Sequence, residues 1–168
     1  MISFQNDILP LKNQLYRLAL RITLDSAEAE DIVQETLIKV WDKHDSWNDI
    51  ENIEAFCYTV CRNKALDYLK SRGSRSESLD DSQTECPDSS YTPSQQTIAH
   101  DEVDMVRNIV NGLPEKQRAC IQLRDFEGKS YKDIARLLNM TEEQIKINIF
   151  RGRKTIKERF EQLNNYRV

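Results

Sequence analysis

Apolar residues recur at steps of three and four along most of this 168-residue chain, the pattern of helices that bury one stripe. Leu11, Leu15, Leu18 and Ile22 make a first stripe. Ala29, Ile32, Val33, Leu37, Val40 and Trp41 make a second. Asp25 or Ser26 stands where the second helix needs a cap, and Glu28, Glu30 and Asp31 favour the positive end of its dipole. A third helix is predicted to begin after Asn52 and run to about Ser71, with AFCYTVCRNKALDYLK as its body. The polar segment DSWNDIEN, which holds Trp47, joins the second helix to the third.

From Gly73 to about Gln96 the pattern stops, and Ser, Asp, Gln and Pro take over. So little apolar surface cannot offset the entropy of ordering the chain. The reading is therefore two domains, 1–75 and 97–168, joined by a flexible acidic linker over 76–96. The second domain opens with a helix near Thr97 to Leu113. Pro114 then reads as the first position of another, which carries Ile121, Leu123 and Phe126 and stops at Gly128. Ser130 to Asp133 resembles a capping box with Asp in the acidic place, and Thr141 to Gln144 fits one fully. Two helix starts so close together leave room for one short helix and a tight turn, which is a helix-turn-helix. Ala135 is small at the crossing, and Asn139 tolerates the left-handed turn. Ile134, Leu138, Ile145 and Ile149 supply the seam, and Ile156, Phe160 and Leu163 continue the core face of the last helix. The expected fold class is all-α, with two small helical domains.

Charge sharpens this picture because it is laid down in blocks. The net charge of −4 hides a net −8 over residues 25–54, made of ten acidic and two basic groups. Residues 62–75 carry five basic groups against one acidic, and residues 114–168 thirteen against eight. Distinct blocks suggest more than one macromolecular partner. Between Lys146 and Arg159 there are six basic residues and one acidic. Ile147 and Phe150 lie off the apolar seam of the same helix. Either they meet thymine methyls in a major groove while Lys and Arg reach phosphates or guanine, or Phe150 packs on another helix of its own domain.

Other functional classes find little support. No run of apolar residues is long enough for a transmembrane helix, and the N-terminus lacks the pattern of a secretory signal, so the expected compartment is the cytoplasm. Cys57, Cys61, Cys86 and Cys120 lack metal-ligand spacing. Three of them read as small buried apolar groups, and Cys86 as exposed. There is no phosphate loop or nucleophile constellation, so neither an enzyme nor a cofactor is expected. A stand-alone repressor would use the helix-turn-helix without needing the first domain. A helical adaptor would leave both basic helices unexplained.

Three stretches, in order, resemble the extracytoplasmic-function group of the sigma-70 family of RNA polymerase sigma factors. They are SAEAEDIVQETLIKVWDKHDSW, AFCYTVCRNKALDYLKSR and LPEKQRACIQLRDFEGKSYKDIARLLNMTEEQIKINIFRGRKTIKE. The resemblance implies an alternative sigma factor, with region 2 and region 4 domains, that binds core RNA polymerase and promoter DNA. It implies core-polymerase contacts at Asp31, Gln34, Glu35, Ile38, Lys39 and Asp42, whose acidity suits a basic partner. Contacts to the −10 element fall at Trp47, Asn48, Asn52, Arg62, Asn63, Lys64, Asp67 and Lys70, in a region that melts the duplex and captures a flipped base. Among these, Trp47 is alternatively a lid on the core, and Asp67 a local cap or ion-pair partner.

Contacts to the −35 element fall at Lys146, Ile147, Asn148, Phe150 and Arg151, with Arg153 and Lys154 toward the backbone. Here the chain departs from the usual pattern: Ile147 replaces a small or hydroxyl residue, and Asn148 replaces Arg. Gly152 stands for Ala, and Asn139 for Gly. Such changes point to an altered −35 preference. An anti-sigma factor is also implied as a partner.

Overall fold

The computed structural model describes residues 1–76 and 98–166, and all regular elements among them are helical. Most of the linker, and Cys86 with it, lies outside the described residues. The first domain is built from α1 (Lys12–Thr23), α2 (Ser26–Asp42) and α3 (Ile53–Ser76). α1 ends where Leu24 turns left-handed at φ 60° and redirects the chain, its own N–H still donating to the Leu20 carbonyl at 2.8 Å. Asp25 then caps α2, its carboxylate accepting the Glu28 N–H at 3.1 Å. Leu15, Leu18, Ala19 and Ile22 bury against Ala29, Ile32, Val33 and Val40, and Cys57, Tyr58, Cys61 and Ala65 close the bundle from α3. Each fully buried Leu or Ile contributes about 1.5–3 kcal/mol over its exposed state.

Of two aromatic positions, Trp41 departs from its expected place in the core, and Trp47 takes the second of its two alternatives, a lid on the core. Trp41 ends the second stripe but is 51% exposed, stacked on His44 with ring centroids 5.0 Å apart. Trp47 sits in a 3-10 turn (His44–Asp49) rather than an open loop, and is only 7% exposed. Its indole Nε1 donates to the Val40 carbonyl at 2.9 Å. α2 outruns the partners that would cover its last turn, and the 3-10 turn folds Trp47 back beneath it. α3 also runs past the expected stop near Ser71, through Gly73. A Cβ at Gly73 would meet nothing within 4 Å, and one glycine costs only about 1 kcal/mol in a helix.

The second domain holds α4 (Ile98–Asn111), α5 (Glu115–Ile121), α6 (Tyr131–Leu138) and α7 (Glu142–Asn165). Pro114 is the N-cap of α5, one position earlier than expected, with φ −54° and ψ 148°. α5 loosens into a π turn (Gln122–Phe126) before Gly128, whose φ of +70° suits glycine. Ile134, Leu137, Leu138, Ile145 and Ile149 are buried, whereas Leu163 is 44% exposed beyond the core. A Cβ on Gly152 would lie 3.1 Å from Ile121 Cγ1, so the glycine lets α7 lie close against α5.

Burial pushes the thiols of Cys57, Cys61 and Cys120 up to about 12, which leaves them inert apolar packing groups. No helix among the described residues is long and apolar enough to cross a membrane.

Candidate nucleic-acid and polymerase interfaces

The helix-turn-helix is assembled by its caps. Thr141 Oγ1 accepts the Gln144 N–H at 3.1 Å, and the Gln144 side chain accepts the Thr141 N–H at 3.0 Å. Ser130 accepts only the Asp133 N–H, so its box is half formed. Asn139 takes φ 54° and ψ 50°, closing α6 and redirecting the chain into α7. The seam then turns Ile145 and Ile149 inward.

Lys146, Ile147, Phe150, Arg151 and Lys154 remain exposed on α7, with Phe150 at 69% and Ile147 at 48%. Phe150 therefore does not pack on its own domain. Two of the expected −35 residues turn elsewhere. Asn148 Nδ2 donates back to the Gln144 carbonyl at 2.8 Å, and Arg153 forms a two-pronged ion pair with Asp125. Tyr131, which sequence reasoning passed over, lies beside this face. Arg124 is 4.4 Å over its ring and Lys146 is 5.7 Å away. Its signal was an aromatic residue directly after the Ser130 cap.

On α2, Asp31, Gln34, Glu35, Ile38, Lys39 and Asp42 are all exposed, and they form one continuous outer strip. Ile38 is 61% exposed in the middle of it. Desolvation together with Asp31, Asp25 and Glu35 raises the pKa of Glu28 at the start of the same helix. Proximity of like charge makes this a surface that favours a cationic partner.

The expected −10 residues are more scattered. Trp47 is in the core, and Asn52 caps α3 by accepting the Ala55 N–H at 3.0 Å. Asn48, Asn63, Asp67 and Lys70 are exposed. Lys64 and Asp67 share a polar groove between α2 and α3 with Tyr68 and Arg72, and Lys64 reaches Glu35 at 3.5 Å. Two residues earlier, about 200° around the helix, Arg62 faces the second domain. It pairs there with Glu115 at 3.4 Å.

That pair belongs to a polar seam between the domains. Arg17 binds Glu127 through both Nε and a terminal nitrogen, and Lys129 meets Glu54 at 2.8 Å. Arg21 donates to Gln122 at 2.9 Å and to Asn111 at 2.7 Å. Arg118 donates across the seam to the Ile22 carbonyl at 2.8 Å, and within its own domain to the carbonyls of Asn111 and Leu113. Arg118 is the arginine of the LPEKQR stretch, so its signal lay in a motif already noted.

Residues 8–75 match Sigma-70 region 2, and residues 104–156 match Sigma-70, region 4. SigL of Mycobacterium tuberculosis, an ECF RNA polymerase sigma factor, is 34% identical over 133 residues, which is 79% of this chain and 74% of SigL. The chain belongs to the extracytoplasmic-function group of the sigma-70 family. Such a sigma factor binds core RNA polymerase, directs it to specific promoters and helps open DNA for initiation.

The sigma factor is also 29% identical over 163 residues to RNA polymerase sigma-H factor of Pseudomonas aeruginosa, spanning 89% of this chain and 83% of that one. Among solved structures it resembles the sigma factor RpoE of Bartonella quintana, crystallised with the anti-sigma factor NepR. The TM-score is 0.68 at 26% identity, over 92% of this chain and 94% of the other. CnrH in complex with the cytosolic domain of CnrY has the same fold, with a TM-score of 0.67 over 95% of this chain and 88% of that one, at 17% identity. Each superposition takes in both helical domains together.

Proposed function

We propose that the sigma factor divides its work among three surfaces. The outer strip of α2, from Asp31 to Asp42, docks on a basic element of core polymerase. The 44–52 turn and α3 engage the −10 element, with Asn48, Asn63, Asp67 and Lys70 as the accessible contacts. Lys146, Ile147, Phe150 and Arg151 on α7 enter the major groove at the −35 element, and Lys154 follows the phosphate backbone. The observation that carries this reading is the exposed Ile147 and Phe150 among cations, on a helix whose opposite side is the seam of a helix-turn-helix. Exposed apolar groups between Lys and Arg suit a groove floor lined with thymine methyls and walled by phosphates.

The chain supplies no catalytic group in this reading, since the polymerase makes the RNA, and it acts in the cytoplasm. The captured complexes of its structural relatives support an anti-sigma factor as a further partner. The deciding experiment is run-off transcription with purified core polymerase on a library of bacterial promoter DNA. New discrete start sites that require the chain are expected, with both upstream elements emerging from their alignment. Tight duplex binding by the chain alone, with no new start sites, would overturn the three-surface scheme.

A further inference from the structure

Beside the Arg17–Glu127 pair, α1 and α4 face each other across a cleft of about 820 Å³. Arg17, Arg21 and Leu24 line it from α1, Arg107 from α4, and Phe126 and Glu127 from the end of the π turn. Sites that hold a whole small ligand are of this size, about 300–1,000 Å³.

The charge in the cleft is one-sided. Three arginines meet one carboxylate, and Glu127 is already held by two nitrogens of Arg17. Arg21 has only amide oxygens to bind, those of Gln122 at 2.9 Å and Asn111 at 2.7 Å. Among the described residues, Arg107 makes no hydrogen bond or ion pair. Burial lowers the pKa of Arg21, and the like charges of Arg107 and Arg118 lower it further. Taking a cation out of water beside two others is costly unless an anion compensates it. No carboxylate lining the cleft is left to do so.

The rest of the lining is apolar. Phe126 and Leu24 are large side chains left 44% and 39% exposed. The Arg21 guanidinium lies 5.0 Å over the Phe126 ring, so cation and aromatic surface are continuous. A bare phosphate would leave that wall wet. A wholly apolar molecule would leave the arginines uncompensated. A ligand with an anionic group and a flat apolar body satisfies both.

We propose that this cleft is a binding site for a small phosphorylated molecule of the nucleotide class, with its phosphates between Arg21 and Arg107 and its base against Phe126 and Leu24. The site needs α1 and α4 together, so it belongs to the closed form, in which the two domains are docked. It does not depend on which surfaces read DNA.

The test titrates the full chain with ATP, tripolyphosphate and adenosine by isothermal calorimetry at fixed ionic strength. The chain has a net charge of −4, so bulk attraction does not account for anion binding. ATP is expected to bind at a single site, more tightly than tripolyphosphate or adenosine. Arg107→Ala removes a cation that holds nothing else in place, and should weaken ATP roughly tenfold to a hundredfold, the scale of charge-assisted hydrogen bonds. Phe126→Ala should weaken ATP but not tripolyphosphate. The affinity of Arg107→Ala for promoter duplex, measured by anisotropy without nucleotide, should equal that of the parent.

Failure of ATP to bind at millimolar concentration would overturn the site. Tripolyphosphate binding as tightly as ATP would overturn the nucleotide class. ATP binding untouched by Arg107→Ala would place the ligand elsewhere, as on the basic face of α7. Loss of duplex affinity in Arg107→Ala would make the cleft part of the DNA surface, and the ligand site would fall with it.

Discussion

α3 and α7 invite comparison, because each is 24 residues long and each carries an island of positive charge. They end in opposite situations. On α7 the seam residues Ile145 and Ile149 face inward, which leaves Lys146, Ile147, Phe150 and Arg151 open to solvent. On α3 both sides are in use. Cys57, Cys61 and Ala65 pack into the first domain, and α6 covers a second flank where Arg62 meets Glu115. Equal charge density therefore does not mean equal availability. A helix at the edge of its domain presents its cations as they stand, whereas one between two domains presents some, such as Lys70 and Arg72, and holds another, Arg62, against the second domain.

The largest expected effect concerns the turn that feeds α3. Trp47→Ala removes a 7%-exposed indole and its bond to the Val40 carbonyl, and should cost about 3–5 kcal/mol in chemical denaturation. Trp41→Ala, at a ring already 51% exposed, should cost well under half as much. Equal costs would mean that the two aromatics do not hold the separate places assigned to them. Duplex binding through α7 should survive both changes wherever the protein remains folded, since α7 lies in the other domain.

The next effect separates the two helices directly. Arg151→Ala should weaken binding to promoter duplex by about 1–3 kcal/mol in an anisotropy titration, as for one lost base or phosphate contact. Arg62→Ala should leave the duplex affinity of the free chain unchanged, because that guanidinium is engaged with Glu115. Equal losses would erase the distinction between an open helix and a covered one.

What could be read in advance follows the range of the interactions. The Thr141–Gln144 box, the Asp25 cap, the left-handed Asn139 and the seam of Ile134, Leu138, Ile145 and Ile149 all depend on neighbours within a few residues, and all are where periodicity and capping chemistry put them. Trp41 was misassigned, and Trp47 left open between a DNA contact and a core lid, because periodicity gives the face of a helix but not where its partner stops covering it. Arg62 was hidden for a different reason: Glu115 is 53 residues away, and only the docking of the domains brings the two together. Asn148 and Arg153 show the same limit at the side-chain level. A polar residue on the right face can still spend its hydrogen bonds on a carbonyl or carboxylate of its own domain.

A smaller effect tests whether α7 is as self-sufficient as the comparison requires. Thr141→Ala breaks the reciprocal cap and should lower stability by about 1 kcal/mol. Ser130→Ala, which loses a single bond to the Asp133 N–H, should cost less. If Ser130 proved the more costly, α6 rather than the capped start of α7 would be setting the geometry of the turn.

The smallest expected effect is a pH dependence belonging to the covered helix alone. Hydrogen bonding to Arg17 holds the Glu127 carboxyl below the ordinary value of 4.5 in the closed form, with Lys129 and Gln122 acting in the same direction. From α3, Tyr58 also faces this carboxylate, and its own hydroxyl is raised mainly by burial. Once the domains part, Glu127 loses Arg17 and its affinity for protons rises. The open form therefore binds the proton more readily, so closure is fully favoured above 4.5 and weakens as pH falls through the depressed value. Small-angle scattering along an acid titration should show expansion before far-UV circular dichroism records any loss of helix. The buried cluster that runs through both domains is chiefly Leu, Ile, Val and Ala, which do not titrate, whereas the Arg17–Glu127 bond is lost when Glu127 takes up a proton. Loss of helix coincident with expansion would mean that the seam is no weaker than the cores, and α3 would then be as permanently placed as α7.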